Sequence, residues 1–199
     1  MAKGESALSD MTCTACQGSW PRQDHFIANL GSSKAYLHED QFFPGWTVVV
    51  VQRHATELFQ LAPTERAQLI EEVSLVAKIL SEVYQAKKIN YELLGNQLPH
   101  IHWHLVPRLA DDPAPREPVW CVPHDPVLLT GSLLQDAINR IAQPLQQGTL
   151  ESSASTTNSY QVASFWATFS PSSTRGYRFA NTSRLILSVF LIHCLSWRD

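Results

Sequence analysis

The alternation of apolar and polar positions predicts that the first half of the chain is rich in β-strands. Successive side chains of a strand point to opposite faces, so a half-buried strand alternates with a period of two residues. Between two of the alternating runs, Gly31-Ser32-Ser33 is suited to a hairpin turn. Ahead of a third run, Pro44-Gly45 leads into the β-branched stretch WTVVVVQRH, which suits a buried strand. The predicted strands cover residues 24–30, 33–40, 46–54, 89–96 and 98–108.

A longer apolar period predicts two helices. Pro63 and Thr64 are helix-start signals, and Glu65 then falls in the first turn. A second helix is predicted from about Asp125 to Gln146, after a proline-rich, acidic loop. In the first helix, apolar residues spaced by four and three make one stripe that we expect to pack on the sheet: Leu69, Val73, Val76, Leu80 and Val83.

The composition changes from Gln147 onward, where the chain becomes rich in serine and threonine, poor in charge and without a sustained period. Such a composition buries too little apolar surface to offset the entropy of ordering the chain. We therefore divide the chain into a flexible N-terminus at 1–12, a domain at 13–146, and a tail at 147–199 that is expected to be disordered or poorly packed.

Composition and charge restrict the class of function. The apolar fraction of 44% is normal for a globular protein with a buried core. A net charge of −3 argues against a broad nucleic-acid-binding face, whereas a few local donors can still hold a small anionic substrate. The N-terminus lacks the apolar core of a secretory signal, and the longest apolar run, residues 185–195, is too short to cross a bilayer as a helix. We expect a cytoplasmic protein with neither nucleic acid nor a membrane as its partner.

Three histidines stand at every second position: His100, His102 and His104. Their spacing raises the question of whether they form a catalytic site. On a strand they would line one face over roughly 13 Å, about the length of a short polyphosphate. They could simply decorate a polar sheet face. The alternative is catalysis, because a neutral imidazole with a pKa of about 6.5 is a good nucleophile at physiological pH. Attack on an α-phosphate would give a nucleotidyl-histidine that water can cleave, so that one difficult displacement becomes two easier ones.

The segment HIHWHLV at residues 100–106 fills the pattern His-φ-His-φ-His-φ-φ, in which φ is apolar, and resembles the histidine triad (HIT) family of nucleotide hydrolases and transferases. The phrases FFPGWTVVVVQRHATELFQL and INYELLGN, with the DDP…PVW loop, resemble a bacterial branch of that family. The resemblance covers roughly Cys13 to Gln146. It implies an α+β fold, an antiparallel sheet of about five strands with one long helix packed on it and a C-terminal helix. The strands and helices predicted from periodicity agree with this.

The resemblance also implies roles for individual residues. The middle histidine, His102, would be the nucleophile, and His104 would hydrogen-bond the phosphate oxygens or the leaving group, with His100 as the first member of the catalytic triad. Fixed donors at a developing charge usually contribute most to such catalysis. Four further residues are candidates for substrate binding, although a solvated surface position is an equal alternative for the arginine: Asn96, Gln97, Trp46 and Arg108.

Two departures from the family pattern bear on substrate choice. Trp46 stands where much of the family has a further histidine, so a contact on the phosphate or ribose side is either lost or replaced by aromatic stacking. The loop before the triad is short, with only Gln97-Leu98-Pro99 between Asn96 and His100. Both departures favour an alternative function, a nucleotide-binding module with little or no turnover.

The CxxC pair, Cys13-Thr14-Ala15-Cys16, indicates a metal or redox site rather than a structural disulfide in a chain with no export signal. Some HIT relatives hold structural zinc with such a pair, the histidine ending the β-branched strand and the first triad histidine. The corresponding residues here are Cys13, Cys16, His54 and His100, a set suited to tetrahedral Zn²⁺. The alternative is two free thiols on a flexible N-terminus. No organic cofactor is expected.

Three functions stay open. The leading one is an enzyme acting at the α-phosphate of a nucleoside phosphoramidate or dinucleoside polyphosphate, and the second is the nucleotide-binding module. In the third, the triad itself holds a catalytic metal. The resemblance implies a nucleotide as the small-molecule partner, and a homodimer is possible because many relatives are dimers. The remaining histidines are predicted to be ordinary surface or core residues, and three of the tryptophans to be packing residues: His25, His38, His124 and His193, with Trp20, Trp103 and Trp120.

Overall fold

Five antiparallel strands and two helices form the described part of the chain. The computed structural model describes residues 12–154, with side chains through residue 147. The strands are β1 (Phe26–Asn29), β2 (Ser33–Leu37), β3 (Thr47–Val51), β4 (Lys88–Glu92) and β5 (His102–Arg108). The helices are α1 (Pro63–Tyr84) and α2 (Gly131–Ala154). The strands make one sheet in the order β1-β2-β3-β5-β4, which confirms the predicted α+β fold.

The period of two along the strands gives the sheet two different faces. On one face the strands meet both helices in the main hydrophobic core, to which β5 contributes Leu105. The register between β3 and β5 sets Val48 opposite His104 and Val50 opposite His102, so both histidines lie on the other face. All five residues of β3 are buried, which is why its β-branched run does not alternate.

Helix α1 begins where the start signals place it. Pro63 is its first residue, and the carboxylate of Glu65 accepts a hydrogen bond from the Ala62 N–H at 2.7 Å. The helix ends before Gln85, which has a left-handed φ of 53°. The predicted stripe packs on the sheet as expected, with four of its members buried: Leu69, Val73, Val76 and Leu80.

The second helix begins later than predicted. It starts at Gly131 rather than near Asp125. The preceding residues are extended because Leu128 forms a β-bridge with Asp40, and the Val127 N–H donates to the Asp40 carboxylate at 3.0 Å. These contacts reach across the fold to a residue far away in the chain, so local sequence signals could not reveal them.

Helix α2 also continues to Ala154, past the predicted end at Gln146. The remainder of the predicted tail, residues 155–199, lies outside the described residues, as do residues 1–11 of the predicted flexible N-terminus. Neither helix of the described part is long and apolar enough to cross a membrane.

The fourth strand is shorter than its prediction over residues 89–96. β4 ends at Glu92, and residues 93–101 connect it to β5 without regular structure. Gly95 adopts a φ of 69°, a left-handed conformation that a strand does not accommodate. The connection between the two strands is therefore longer than the single residue, 97, that separates the two predicted strands.

A buried carboxylate fastens the β1–β2 hairpin to helix α1. Glu72 is only 7% exposed. It accepts hydrogen bonds from the backbone N–H and the hydroxyl of Ser32 at 2.9 and 2.8 Å, and from the Ser33 hydroxyl and the Gln68 amide. Because a buried carboxylate is costly without such donors, and buried hydroxyls are costly without an acceptor, this cluster fixes the hairpin on the helix.

Replacing Glu72 with alanine is expected to lower the free energy of unfolding by about 2–3 kcal/mol, because the two serine hydroxyls would lose their buried acceptor. Urea unfolding measures the difference. Glu71→Ala, at the exposed neighbouring position, is the matched control and should change the free energy of unfolding by less than about 0.5 kcal/mol. Equal effects of the two substitutions would show that the Glu72 cluster does not hold the hairpin.

Candidate active site and metal-binding cluster

Strand β5 presents two of the motif histidines side by side on the face opposite the helices. The ring centroids of His102 and His104 are 5.2 Å apart, and each residue is 6% exposed. The strand begins at His102, so His100 precedes it and the predicted row of three strand histidines is reduced to two. His100 is 2% exposed, and its Nδ1 lies near the sulfur atoms of Cys13 and Cys16. We call His102 and His104 the histidine pair.

The ring of His102 is held through Nδ1. That atom lies 2.6 Å from the backbone carbonyl oxygen of His100, and because a carbonyl only accepts, Nδ1 carries the proton and donates it. Burial lowers the pKa of His102, so the ring is neutral at physiological pH. Its Nε2 then has a lone pair, and no side chain or backbone group of the described residues hydrogen-bonds to it. Such a nitrogen can act as a nucleophile.

The ring of His104 is held by a different group. Its Nδ1 accepts a hydrogen bond from the indole Nε1–H of Trp46 at 3.1 Å. Trp46 is 3% exposed, and its ring stacks on that of His38 with 3.9 Å between the centroids. Burial, together with the charges of His102 and His38, lowers the pKa of His104 to about 3. His104 is therefore neutral at physiological pH.

Two tryptophans close over the histidine pair. The ring centroid of Trp20 lies 5.0 Å from that of His102, and the ring centroid of Trp120 lies 5.0 Å from that of His104, both edge to face. A cavity of about 310 Å³ lies beside Trp20 and His38, and one of about 480 Å³ lies beside Trp120. Neither cavity is lined by His102 or His104.

A candidate metal-binding cluster lies next to the histidine pair and consists of Cys13, Cys16, His54 and His100. One ligand atom from each residue lies within 4.8 Å of the other three. The Cys13 Sγ is 3.4 Å from the His100 Nδ1, and the Cys16 Sγ is 3.3 Å from the His54 Nδ1. Ligands at about 2.0–2.3 Å from a tetrahedral zinc are themselves about 3.3–3.8 Å apart, so the spacing fits this ion. Within residues 12–147 no other group of histidine, cysteine and acidic side chains meets this condition.

His100 connects the cluster to the histidine pair. Its Nε2 donates to the carbonyl oxygen of Val51 at 2.6 Å, which leaves Nδ1 to face the cysteines. Its own backbone carbonyl accepts the Nδ1–H of His102. A candidate metal ligand and the orientation of the candidate nucleophile therefore depend on one residue.

The predicted substrate-binding residue Arg108 is buried, at 4% exposure. Its guanidinium donates to the Asn90 side-chain oxygen at 2.5 Å and to the Glu117 carbonyl at 2.8 Å, and it forms an ion pair with Asp112. These contacts fasten the loop that follows β5. The alternative of a solvated surface arginine is therefore wrong.

Asn96 and Gln97 are exposed in the connection between β4 and β5. Asn96 lies beyond Glu92, the last residue of β4, and not at the end of the strand as predicted. The role of both residues in substrate binding stays a prediction.

His38 belongs to the site although its sequence context does not mark it. Its ring stacks on Trp46, and its centroid is 5.7 Å from that of His104. The available signal is the alternation of SKAYLHED, because His38 follows Tyr36 by two residues and shares its face of the sheet. That signal does not reveal that this face also carries the histidine pair, because this depends on the order of the strands in the sheet.

The other histidines have structural contacts. His25 is 3% exposed, and its Nδ1 lies 3.1 Å from the Leu37 carbonyl oxygen, as expected of a core histidine. His124 lies 2.8 Å from the Asp40 carboxylate. His193 lies outside the described residues.

Comparison with known proteins identifies the class of fold and site. The family model of the HIT domain matches residues 22–111. A histidine triad (HIT) protein of Sinorhizobium meliloti is 32% identical, and the alignment covers 60% of this chain and 87% of that one with a TM-score of 0.56. A histidine triad protein of Bradyrhizobium japonicum is 30% identical, with coverage of 62% and 92% and a TM-score of 0.56. The chain belongs to the histidine triad (HIT) family.

Sequence comparison also finds a relative whose activity is named. The chain is similar to the asymmetrical bis(5'-nucleosyl)-tetraphosphatase of Schizosaccharomyces pombe, with 29% identity over 85 residues. The match covers 40% of this chain and 47% of that protein, so this chain spans about half the length of the relative.

The depressed pKa of His104 predicts acid sensitivity of the fold. Because His104 has a pKa of about 3 in the folded state and about 6.5 when unfolded, the unfolded state binds more protons between these values. The free energy of unfolding should therefore fall as the pH drops below 6.5, by up to about 1.4 kcal/mol per pH unit for this group. His104→Gln keeps an acceptor for the Trp46 indole and should reduce the slope between pH 6.5 and 4.5 by that amount. Equal slopes for both proteins, measured by urea unfolding, would contradict a buried neutral His104.

Proposed function

We propose that the protein is a nucleotide hydrolase or transferase that acts at the α-phosphate through a covalent nucleotidyl-histidine intermediate on His102. The substrate class is a nucleoside phosphoramidate or a dinucleoside polyphosphate. Membership of the HIT family and similarity to the yeast tetraphosphatase support an enzyme that acts on nucleotides.

The observation that carries the proposal is the orientation of His102. Its Nδ1–H is fixed on the His100 carbonyl oxygen at 2.6 Å, so the lone pair of Nε2 is available on the opposite side of the ring. When Nε2 bonds to phosphorus, the ring becomes cationic. The carbonyl acceptor at Nδ1 then stabilises that charge through a charge-assisted hydrogen bond.

The reaction consists of two displacements. Nε2 of His102 attacks the α-phosphorus, a P–N bond forms, and the bond from phosphorus to the leaving group breaks. The leaving group takes the electron pair of that bond and a proton from solvent. Water then attacks the same phosphorus and releases a proton to solvent, the P–N bond breaks, and Nε2 regains its lone pair as the nucleoside monophosphate leaves. Transfer results when another nucleophile takes the place of water.

The two cavities suit the two parts of such a substrate. The smaller cavity combines the apolar surface of Trp20 with the polar side chains of His38 and Glu39, a mixture that suits a base and its ribose. The larger cavity has Arg116 beside Trp120, where a guanidinium can meet a phosphate of the leaving group. We therefore place the nucleoside in the smaller cavity and the leaving group in the larger one, with the α-phosphate between them at the histidine pair, which lines neither cavity.

A binding module with little or no turnover is the second candidate, and one observation favours it. His102 and His104 are each 6% exposed beneath Trp20 and Trp120, so an α-phosphate reaches them only if a tryptophan moves. A metal held by the triad itself has less support. Among the described side chains, the group with metal-ligand spacing joins His100 to the cysteines and does not include the histidine pair.

We also propose that Cys13, Cys16, His54 and His100 bind one structural zinc ion. Two thiolates and two imidazoles are the donors of a closed tetrahedral site, and their spacing fits one. Zinc would supply a cross-link rather than chemistry there. It would fasten the N-terminal segment to the sheet, and this segment carries Trp20 onto the ring of His102.

Zinc-loaded protein mixed with diadenosine tetraphosphate or an adenosine phosphoramidate is expected to form an acid-labile AMP adduct on His102. Rapid-quench mass spectrometry detects the adduct and locates it. His102→Ala should form none, and its turnover should fall by roughly 10⁴- to 10⁶-fold, because the nucleophile is lost.

His25→Asn is the matched control for that experiment. His25 is a buried histidine away from the histidine pair, and an asparagine amide can still donate to the Leu37 carbonyl. The variant should form the adduct at the wild-type rate. Nucleotide binding by the wild-type protein without an adduct or product would contradict the enzyme and favour the binding module.

The purified chain is expected to bind one zinc ion, measured by elemental analysis after gel filtration. Cys16→Ser should lower the zinc affinity by more than about 100-fold, because a thiolate ligand is lost. Cys121→Ser, which replaces an exposed cysteine outside the cluster, should retain the ion. Loss of zinc from both variants alike, or its absence from the wild-type protein under zinc-replete conditions, would show that the cluster is not a zinc site.

A further inference from the structure

The contact between Trp46 and His104 fixes where the proton of the His104 ring lies. The indole Nε1–H of Trp46 is 3.1 Å from the His104 Nδ1, and the two residues are 3% and 6% exposed. An indole N–H can only donate a hydrogen bond, so the His104 Nδ1 must be the acceptor. In a neutral imidazole with Nδ1 unprotonated, the proton is on Nε2.

The fold holds the indole so that it cannot turn away from His104. Trp46 follows Gly45, which has a left-handed φ of 85° and would place a Cβ only 2.5 Å from the Tyr84 ring of α1. The Trp46 N–H donates to the Phe43 carbonyl at 3.1 Å, which closes the turn. The indole is stacked on His38 with an angle of 9° between the ring planes. The direction of the indole N–H is thus set by the turn and by the stack together.

We propose that Trp46 is a positioning residue that locks His104 in the Nε2–H tautomer, so that His104 presents a fixed hydrogen-bond donor to the phosphoryl group. This inference rests on the proposed function for its substrate, but the tautomer itself does not depend on turnover. It gives Trp46 a role in orienting the site rather than in stacking on the substrate.

The two Nε2 atoms of the histidine pair then differ in hydrogen bonding, because one carries a lone pair and the other carries a proton. The His102 Nδ1 faces a carbonyl oxygen at 2.6 Å, whereas the His104 Nδ1 faces an indole N–H at 3.1 Å. Neutral His102 therefore offers a lone pair at Nε2, and neutral His104 offers an N–H. With the ring centroids 5.2 Å apart, a nucleophile and a donor lie side by side. One phosphoryl group can meet both, because its phosphorus accepts the lone pair while an oxygen accepts the hydrogen bond.

The hydrogen bond from Trp46 also limits proton transfer by His104. Loss of the Nε2 proton would leave an imidazolate, since the indole supplies no proton to Nδ1. Protonation of the His104 Nδ1 would bring its N–H to the indole N–H of Trp46, and two donors cannot hydrogen-bond to each other. His104 therefore donates a hydrogen bond to a phosphoryl oxygen without transferring the proton, and the proton for the leaving group comes from solvent, as in the two displacements above.

The direct test is the tautomer of His104 in the full-length, zinc-loaded protein without substrate. Long-range ¹H–¹⁵N correlation spectra distinguish protonated from unprotonated ring nitrogens, and the His104 signals are those that disappear in His104→Gln. The expected result is one tautomer at pH 7, with the proton on Nε2. A proton on Nδ1, or two tautomers in comparable amounts, would overturn the inference, and this measurement requires no Trp46 variant to fold.

Trp46→Phe tests the role in catalysis, because it keeps an aromatic ring but removes the donor. We expect the Nε2–H tautomer to lose its dominance, and adduct formation on His102 to slow by about tenfold with little change in substrate affinity. Trp103→Phe is the matched control. It removes an indole N–H from the neighbouring position in β5 that has no hydrogen-bond partner among the described residues, and it should leave both the tautomer and the rate unchanged.

The outcomes separate this inference from the proposed function. An unchanged His104 tautomer and an unchanged rate in Trp46→Phe would overturn the role of Trp46. If the wild-type protein forms no adduct, the proposed function fails, while the wild-type spectrum still decides the tautomer. Backbone amide spectra and zinc content verify that each variant is folded, and the wild-type spectrum alone decides the lock if Trp46→Phe does not fold.

Discussion

The burial of the three motif histidines is the constraint on which the site depends. His100, His102 and His104 are at most 6% exposed, and a buried imidazole needs partners for its polar nitrogens. The fold supplies a different partner for each Nδ1: cysteine thiols for the first, a backbone carbonyl for the second and an indole N–H for the third. Three residues of one type thereby acquire three different environments, which is why we propose a different role for each of them.

The candidate metal-binding cluster and the histidine pair are physically joined. His100 faces the cysteines with its side chain and holds His102 with its backbone carbonyl. The N-terminal segment that carries Cys13 and Cys16 also carries Trp20, whose ring packs on His102. The cluster is therefore placed to influence the histidine pair in two ways, through the orientation of the His102 ring and through the position of Trp20, which covers that ring.

Much of the fold could be predicted because its signals are local. The alternating strands, the turn before Trp46 and the stripe of α1 each follow from the spacing of apolar residues within one element. The start of α2 could not be predicted in this way, because it depends on the bridge between Leu128 and Asp40. For the same reason the sequence did not mark His38, whose ring partners are Trp46, just before β3, and His104 of β5.

The sequence by itself determined the histidine motif, the strand that carries its second and third members, and four residues of types suited to zinc. These depend on composition and on a period of two, which are properties of short segments. Only the tertiary structure decided what each residue contacts. Arg108 became a buried anchor for a loop, and Trp46 became the donor to His104. Both outcomes depend on groups brought from distant parts of the chain, because the partner of a buried polar atom is set by packing and not by its neighbours in sequence.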